Sequence, residues 1–236
     1  MKRLFRDLTA FERGLWICSL LLVGGVFLLS PQRDWLNLSA SLIGVTALIF
    51  VAKGYVIGQV LTVVFALFYG VISWHFRYYG EMITYLGMTA PIALMAVVSW
   101  LRHPFAETKE VAVHRVTPRE SGGMVLLALL VTAVFYFILK ALGTASLGFS
   151  TLSITTSFLA SWLTFLRSPF YALAYAANDV VLMVLWTLAA MKDPGSIPMV
   201  ACFFAFFCND SYGFFNWRAM ERRQKESALR PDHFLD

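Results

Sequence analysis

Eight apolar runs, separated by short polar interruptions, organise the chain of 236 residues. They fall near residues 12 to 30, 35 to 52, 55 to 76, 79 to 101, 122 to 142, 151 to 166, 169 to 191 and 197 to 217. Most approach the ~20 residues that a helix needs to cross a hydrocarbon core of about 30 Å. The sixth is the shortest and the richest in Ser and Thr. The first is as long as a signal-peptide core but lacks a small-x-small cleavage site, so it is read as a retained helix. The pattern predicts an all-α integral membrane protein of about eight transmembrane helices.

A marker recurs along the chain. "SASLIGVTALIFVAKG", from Ser39, and "SITTSFLASWLTFLRSP", from Ser153, are Ser/Thr-dotted helices that end in one basic residue, Lys53 or Arg167. Each precedes a span with a tryptophan near its end, Trp74 or Trp186, and then a span with an aromatic and basic exit, "SWLRHP" or "NWRAME". Two parallel three-helix units can be joined only through an odd number of extra spans, and the run at 122 to 142 supplies one. The expected order is a cytoplasmic stub and extra helix (1–34), a first three-helix unit (35–101), a loop (102–121), an inversion helix (122–142), a second unit (151–217) and a basic tail (218–236). Such a 3+1+3 arrangement is SWEET-like, with substrate held between parallel repeats near the midplane. Ser168-Pro169 reads as the start of the seventh span, "KDPGSIP" as a turn, and Pro91 as a kink in the fourth.

Charge sets the orientation. Of 19 Lys and Arg, only Arg33, Arg77, Lys140 and Lys192 fall outside if the N-terminus is cytoplasmic; the other 15, among them Lys2, Arg3, Arg6, Arg13 and Arg230, fall inside. Both termini are therefore expected in the cytoplasm. The net charge of +5 is first a topology signal; the basic tail suits anionic lipid, and nucleic-acid binding is not expected. Hydrophobic residues make up 59% and charged ones 14%, against about 25% charged in soluble domains.

Polar residues inside the spans are the candidate chemistry, because a carboxylate at the centre of a spanning helix costs roughly 2.5 to 3.5 kcal/mol. At 100° per residue, Tyr171, Tyr175, Asn178, Asp179 and Trp186 share one arc of the seventh span, and Asn209, Tyr212, Gly213 and Asn216 share one on the eighth with Asp210 at its edge. Gln59, Thr62, Tyr69 and Ser73 line one face of the third span; Glu81, Thr84, Tyr85, Met88 and Ser99 line one on the fourth. Ser157, Ser161 and Thr164 are read as close-packing positions. Trp74 and Trp186 suit either an interfacial anchor or a stacking surface. Asp179 and Asp210 suit a structural bond, a countercharge or ion coupling. Because no Lys or Arg lies centrally in a span, the expected cargo is neutral or cationic, and aromatics with amides suit a flat heterocycle.

The stretch from Val51 to Met82, "VAKG" through "FRYYGEM", together with "NDSYGFFNW" from Asn209 to Trp217, resembles the PnuC family of bacterial vitamin transporters across about residues 37 to 220. The resemblance implies uptake of nicotinamide riboside, a cationic pyridinium nucleoside, through the bacterial inner membrane by facilitated diffusion, with trapping by a cytosolic riboside kinase. Asn178 and Trp186 match the family's seventh-span residues, and Asn209, Tyr212 and Gly213 its final motif. Tyr175 stands where many members have tryptophan. The expected substrate contacts are Asn178, Asp179, Trp186, Asn209, Tyr212, Tyr175, Gln59, Thr62, Tyr69, Tyr85 and Asn216. The expected assembly is a homo-oligomer, a trimer being the specific form. Thiamine or riboflavin transport, or a binding subunit of an ATP-driven importer, are the competing readings. No cofactor and no metal are expected: Cys18, Cys202 and Cys208 lie within spans without ligand spacing, His75, His103, His114 and His233 lie in loops or at a span end, and neither HExxH nor a Walker A sequence occurs. Catalysis is not expected.

Overall fold

A computed structural model describes residues 5–30, 34–75, 78–144 and 146–229; Lys2, Arg3, Arg33, Arg77, Arg230 and His233 lie outside the described residues. The apolar runs become eight long helices: α1 (Ala10–Leu29), α2 (Trp35–Ala52), α3 (Val56–His75), α4 (Tyr79–Arg102), α5 (Pro118–Ala141), α6 (Leu147–Phe165), α7 (Phe170–Ala190) and α8 (Ile197–Leu229). All but α6 are long and apolar enough to span a membrane. Among the described residues there is no β-strand, only two isolated bridges, Tyr55 with Glu110 and Pro104 with Val111. The protein is an all-helical, multi-pass membrane protein.

Where the boundaries differ from the hydrophobic pattern, local chemistry explains it. Thr117 accepts from the Glu120 N–H while Glu120 accepts from that of Thr117, a capping box that starts α5 at Pro118, inside the expected loop. Thr9 and Glu12 start α1 in the same way. Helix α6 begins at Leu147, earlier than its apolar run, and buries Ser150, Ser153, Ser157, Ser161 and Thr164 among its neighbours. Helix α8 continues to Leu229 through what the charge pattern marks as tail, because Gln224 bonds the 103–117 segment at Val113 N and Val111 O. Ahead of Pro91, α4 widens into a π-helical turn, Tyr85–Thr89. The wide turn accommodates the break that proline introduces and brings both Tyr85 and Thr89 to the molecule's central cavity.

Helices α2 and α6 end alike. In α2, Tyr55 N–H bonds Phe50 O at 3.0 Å and Gly54 N–H bonds Val51 O at 2.9 Å; in α6, Ser168 N–H bonds Leu163 O at 2.9 Å and Arg167 N–H bonds Thr164 O at 3.0 Å. Both are Schellman ends with a left-handed residue, Gly54 (φ 69°) or Arg167 (φ 59°). Arg167 therefore corresponds to Gly54, and Lys53 to Leu166, one residue away from the pairing that charge alone implies.

Side chains of α8 and α4 also bond carbonyls at these two ends, of which Val51 O and Thr164 O already accept a turn N–H. Trp217 Nε1 donates to Val51 O (2.9 Å) and Asn216 Nδ2 to Ala52 O (2.8 Å). Reciprocally, Trp100 Nε1 donates to Thr164 O (3.0 Å) and Ser99 Oγ to Phe165 O (3.1 Å). The two indoles, both buried, lie 5.4 Å apart between ring centroids. Trp100→Phe and Trp217→Phe each remove one of two bonds to a helix-end carbonyl, the turn N–H remaining, and each is expected to lower stability by a similar amount, about 0.5 to 1.5 kcal/mol. Thermal unfolding in detergent measures this; a loss for one variant only would show that the caps are not equivalent.

Candidate functional site

The crosswise caps set α2, α3 and α4 against α7 and α8, and a narrow cavity of about 50 Å³ lies between them. Gly44, Ala47, Leu48 and Val51 of α2 form one wall, and Gln59, Thr62 and Phe65 of α3 another. Tyr85 and Thr89 enter from the π turn, Tyr175, Asn178 and Asp179 from α7, and Phe206 and Asp210 from α8. The volume has room for water molecules only; sites for small organic ligands run to about 300 to 1,000 Å³. Phe65 and Phe206 meet edge to face, 5.2 Å between centroids, and must part to admit a larger molecule. Gly44 allows this contact, since a Cβ there would stand 2.3 Å from Phe206 Cζ.

Two of the polar side chains, Asn178 and Tyr175, are held by α6. Thr156 Oγ1 (2.8 Å) and Ser157 Oγ (3.0 Å), both on α6, donate to Asn178 Oδ1. The asparagine is thus locked by its oxygen, and its Nδ2 is left as a donor for a ligand. Tyr175 OH pairs with Ser161 Oγ at 3.1 Å, so residues suited to packing also orient the site. Asp179 and Asp210 are both buried, their carboxyls are in hydrogen-bonding contact with each other, and Asp179 Oδ2 has no partner among the described residues. Among the described residues, the cavity lining includes no Lys, Arg or His.

Six of the residues expected from sequence therefore meet at one place: Gln59, Thr62, Tyr85, Tyr175, Asn178 and Asp179. The other five are placed elsewhere. Trp186 Nε1 donates to Tyr69 OH at 2.8 Å, and the Tyr69 ring lies 4.1 Å from that of Tyr85, making a buried aromatic layer beside the cavity. Asn209 Nδ2 donates to Ser19 Oγ on α1 at 3.0 Å and to Ala205 O at 2.8 Å; Tyr212 OH donates to Glu12 Oε1 on α1 at 2.9 Å; Asn216 caps α2. The arc on α8 is a real polar face, but it looks towards α1 and the end of α2, while Asp210 at its edge reaches the cavity. Thr89 was missed because the π turn moves it out of α-helical phase, and Phe65 and Phe206 because apolar residues carry no chemical signal of their own.

Glu12 joins three helices. It accepts from Lys53 Nζ (3.2 Å to Oε1 and 3.1 Å to Oε2), from Tyr212 OH, and from Thr9 N–H at 2.6 Å, with only 2% of its side chain exposed. Glu12→Gln removes the charge and is expected to cost about 1.5 to 3 kcal/mol, the worth of a hydrogen bond to a charged group, while substrate affinity in the folded fraction stays unchanged. A melting curve paired with calorimetric titration checks both halves.

Comparison with known proteins agrees with this fold. The model of the nicotinamide mononucleotide transporter family matches residues 34–219. Over 227 residues the chain is 26% identical to the nicotinamide riboside transporter PnuC of Neisseria mucosa, covering 94% of this chain and 86% of that one. Over 192 residues it is 23% identical to the protein of the same name from Haemophilus influenzae, covering 80% and 82%. It superposes on the crystal structure of the vitamin B3 transporter PnuC with a TM-score of 0.81 at 26% identity, over 94% of this chain and 96% of the other.

Proposed function

The chain belongs to the nicotinamide mononucleotide transporter family, and on that premise we propose that it carries nicotinamide riboside, the dephosphorylated cation, by facilitated diffusion rather than the mononucleotide of the family's description. The observation that carries this reading is the acidic cavity: two carboxyls, an amide donor and four aromatic rings, with no basic side chain in the lining. A pyridinium ring gains from aromatic faces and carboxylates, whereas a phosphate would be desolvated beside Asp179 and Asp210 with no countercharge. In this reading Asp179 and Asp210 face the pyridinium, Tyr85 and Tyr175 flank it, and Asn178, Gln59, Thr62 and Thr89 bond the sugar and the carboxamide. Trp186 and Tyr69 form the cover on one side. Asn209, Tyr212 and Asn216 are scaffold.

Transport needs the cavity to open to each side in turn. We read the units α2–α4 and α6–α8 as SWEET-like parallel repeats, joined by α5, that rock about the caps at their ends. Lys53, Arg102, Lys109, Arg115, Arg119, Arg167 and Arg218 gather at the end that holds the 103–117 segment, which we place in the cytoplasm of a bacterial inner membrane. Phosphorylation there by a riboside kinase would trap the product, since the cavity disfavours phosphate. The chain performs no chemistry on its cargo, and we retain a homo-oligomer, specifically a trimer, as its assembly.

Purified protein in liposomes is expected to equilibrate nicotinamide riboside without ATP, and calorimetry to show the mononucleotide binding at least about tenfold more weakly, equivalent to about 1.4 kcal/mol. Equal affinity, or tighter binding of thiamine or riboflavin, would overturn the assignment. Asp179→Asn and Asp210→Asn are expected to weaken the riboside more than a neutral isostere of the same shape; equal losses for both ligands would make the carboxyls structural. Asn178→Ala removes the locked donor and is expected to cost about 1 to 3 kcal/mol of binding with the melting temperature retained.

A further inference from the structure

A second cavity, of about 480 Å³, lies at the basic end between α5 and the start of α7. Its apolar wall includes Met124 of α5, Leu163 of α6 and Phe170 of α7, and its polar side is His114, Arg115, Ser121, Ser168, Arg218 and Glu221. Helix α5 packs on α6, and residues of α5, α6, α7 and α8 line this groove. Phe170, 49% exposed, stands at the groove with the Arg218 guanidinium carbon 5.7 Å from its ring centroid. The structure therefore places an apolar surface and two guanidiniums around one groove.

The charges are not balanced within the protein. Glu221 pairs with Arg115 through Nε (2.9 Å) and with Arg218 through one terminal nitrogen (2.7 Å). The remaining nitrogens of both guanidiniums have no hydrogen-bond partner among the described residues. Glu221 is buried while the Arg115 and Arg218 side chains are 65% and 40% exposed, so the carboxylate fixes the two cations and leaves them facing outward. With His114 held by the Glu120 carboxylate at 3.1 Å, the two arginines and one carboxylate that line the groove sum to +1, which a phosphodiester brings to zero. Planar guanidiniums suit phosphate oxygens, and the apolar wall suits an acyl chain.

We propose that this groove binds one phospholipid of net charge −1, its phosphate on Arg115 and Arg218 and the first part of an acyl chain on Met124, Leu163 and Phe170. The lipid would bridge the loop that carries Arg115, the start of α7 and the extension of α8. Its apolar part requires a lipid rather than a free phosphate, and its charge sum favours phosphatidylglycerol over the zwitterionic phosphatidylcholine.

The test is thermal unfolding of the purified full-length chain in mixed micelles titrated with phosphatidylglycerol, phosphatidylcholine or glycerol 3-phosphate. Phosphatidylglycerol is expected to raise the melting temperature, and the other two to leave it where it was. In Arg115→Gln or Arg218→Gln the phosphatidylglycerol concentration giving half the shift is expected to rise about fivefold, the equivalent of one basic contact. Lys225→Gln, an exposed charge at the same end outside the groove, is expected to behave as the parent. Native mass spectrometry of the parent is expected to retain one phosphatidylglycerol. The proposal is overturned if phosphatidylcholine stabilises equally, if glycerol 3-phosphate reproduces the shift, if Lys225→Gln loses as much as the groove variants, or if no lipid is retained.

Discussion

The structure depends on a reciprocal hydrogen-bond exchange at the ends of two helices. A helix that terminates inside a membrane protein leaves carbonyls that water cannot reach and lipid cannot satisfy. Here α2 and α6 close part of that deficit with Schellman turns, Asn216 and Ser99 bond the next carbonyls, Ala52 O and Phe165 O, and Trp217 and Trp100 add a second bond to the turn carbonyls Val51 O and Thr164 O. One donor pair comes from α8 and the other from α4. That exchange holds α8 beside α2 and α4 beside α6, and the central cavity lies among α2, α3, α4, α7 and α8.

Electrostatics of the cavity follow from its position. Five helices contribute to its lining, and among the described residues the only acidic or basic side chains apart from tyrosine that they bring are the carboxyls of Asp179 and Asp210. The Ser/Thr face of α6 does not line the cavity but controls it from behind, through Thr156 and Ser157 on Asn178 and Ser161 on Tyr175. Packing residues and recognition residues are thus successive layers of one network, which makes the donor of Asn178 available in a fixed direction without spending protein groups inside the cavity.

Away from the cavity, the basic end is held by charge. Glu12 binds Lys53 and Tyr212 across α1, α2 and α8, Glu221 binds Arg115 and Arg218, and Arg223 reaches Glu110 at 3.3 Å. The 103–117 segment, polar by composition, buries Val111 and is stitched to α8 by Gln224. These contacts explain why α8 persists as a helix beyond its apolar part: its last turns are one side of an interface.

Hydrophobic periodicity by itself determined the membrane class, the number of long helices and which arc of each helix is polar, because these depend on local spacing and on the cost of polar groups in lipid. It also brought Gln59, Thr62, Tyr85, Tyr175, Asn178 and Asp179 forward as a set. Which neighbour each polar arc meets was decided only by the tertiary structure. Asn209 and Tyr212 lie on an arc as polar as that of Asn178, yet α1 occupies the space before it, and α1 is remote in sequence. Asn216 has the chemistry of a ligand contact but finds an open carbonyl of α2 first. Asp210, at the margin of its arc, reaches the cavity because α8 packs at an angle that no single-helix projection contains, and Thr89 joins it because a π turn shifts the phase. Facing is a property of one helix and can be read along the chain; partnership is a property of two, fixed by packing that the chain settles only as a whole.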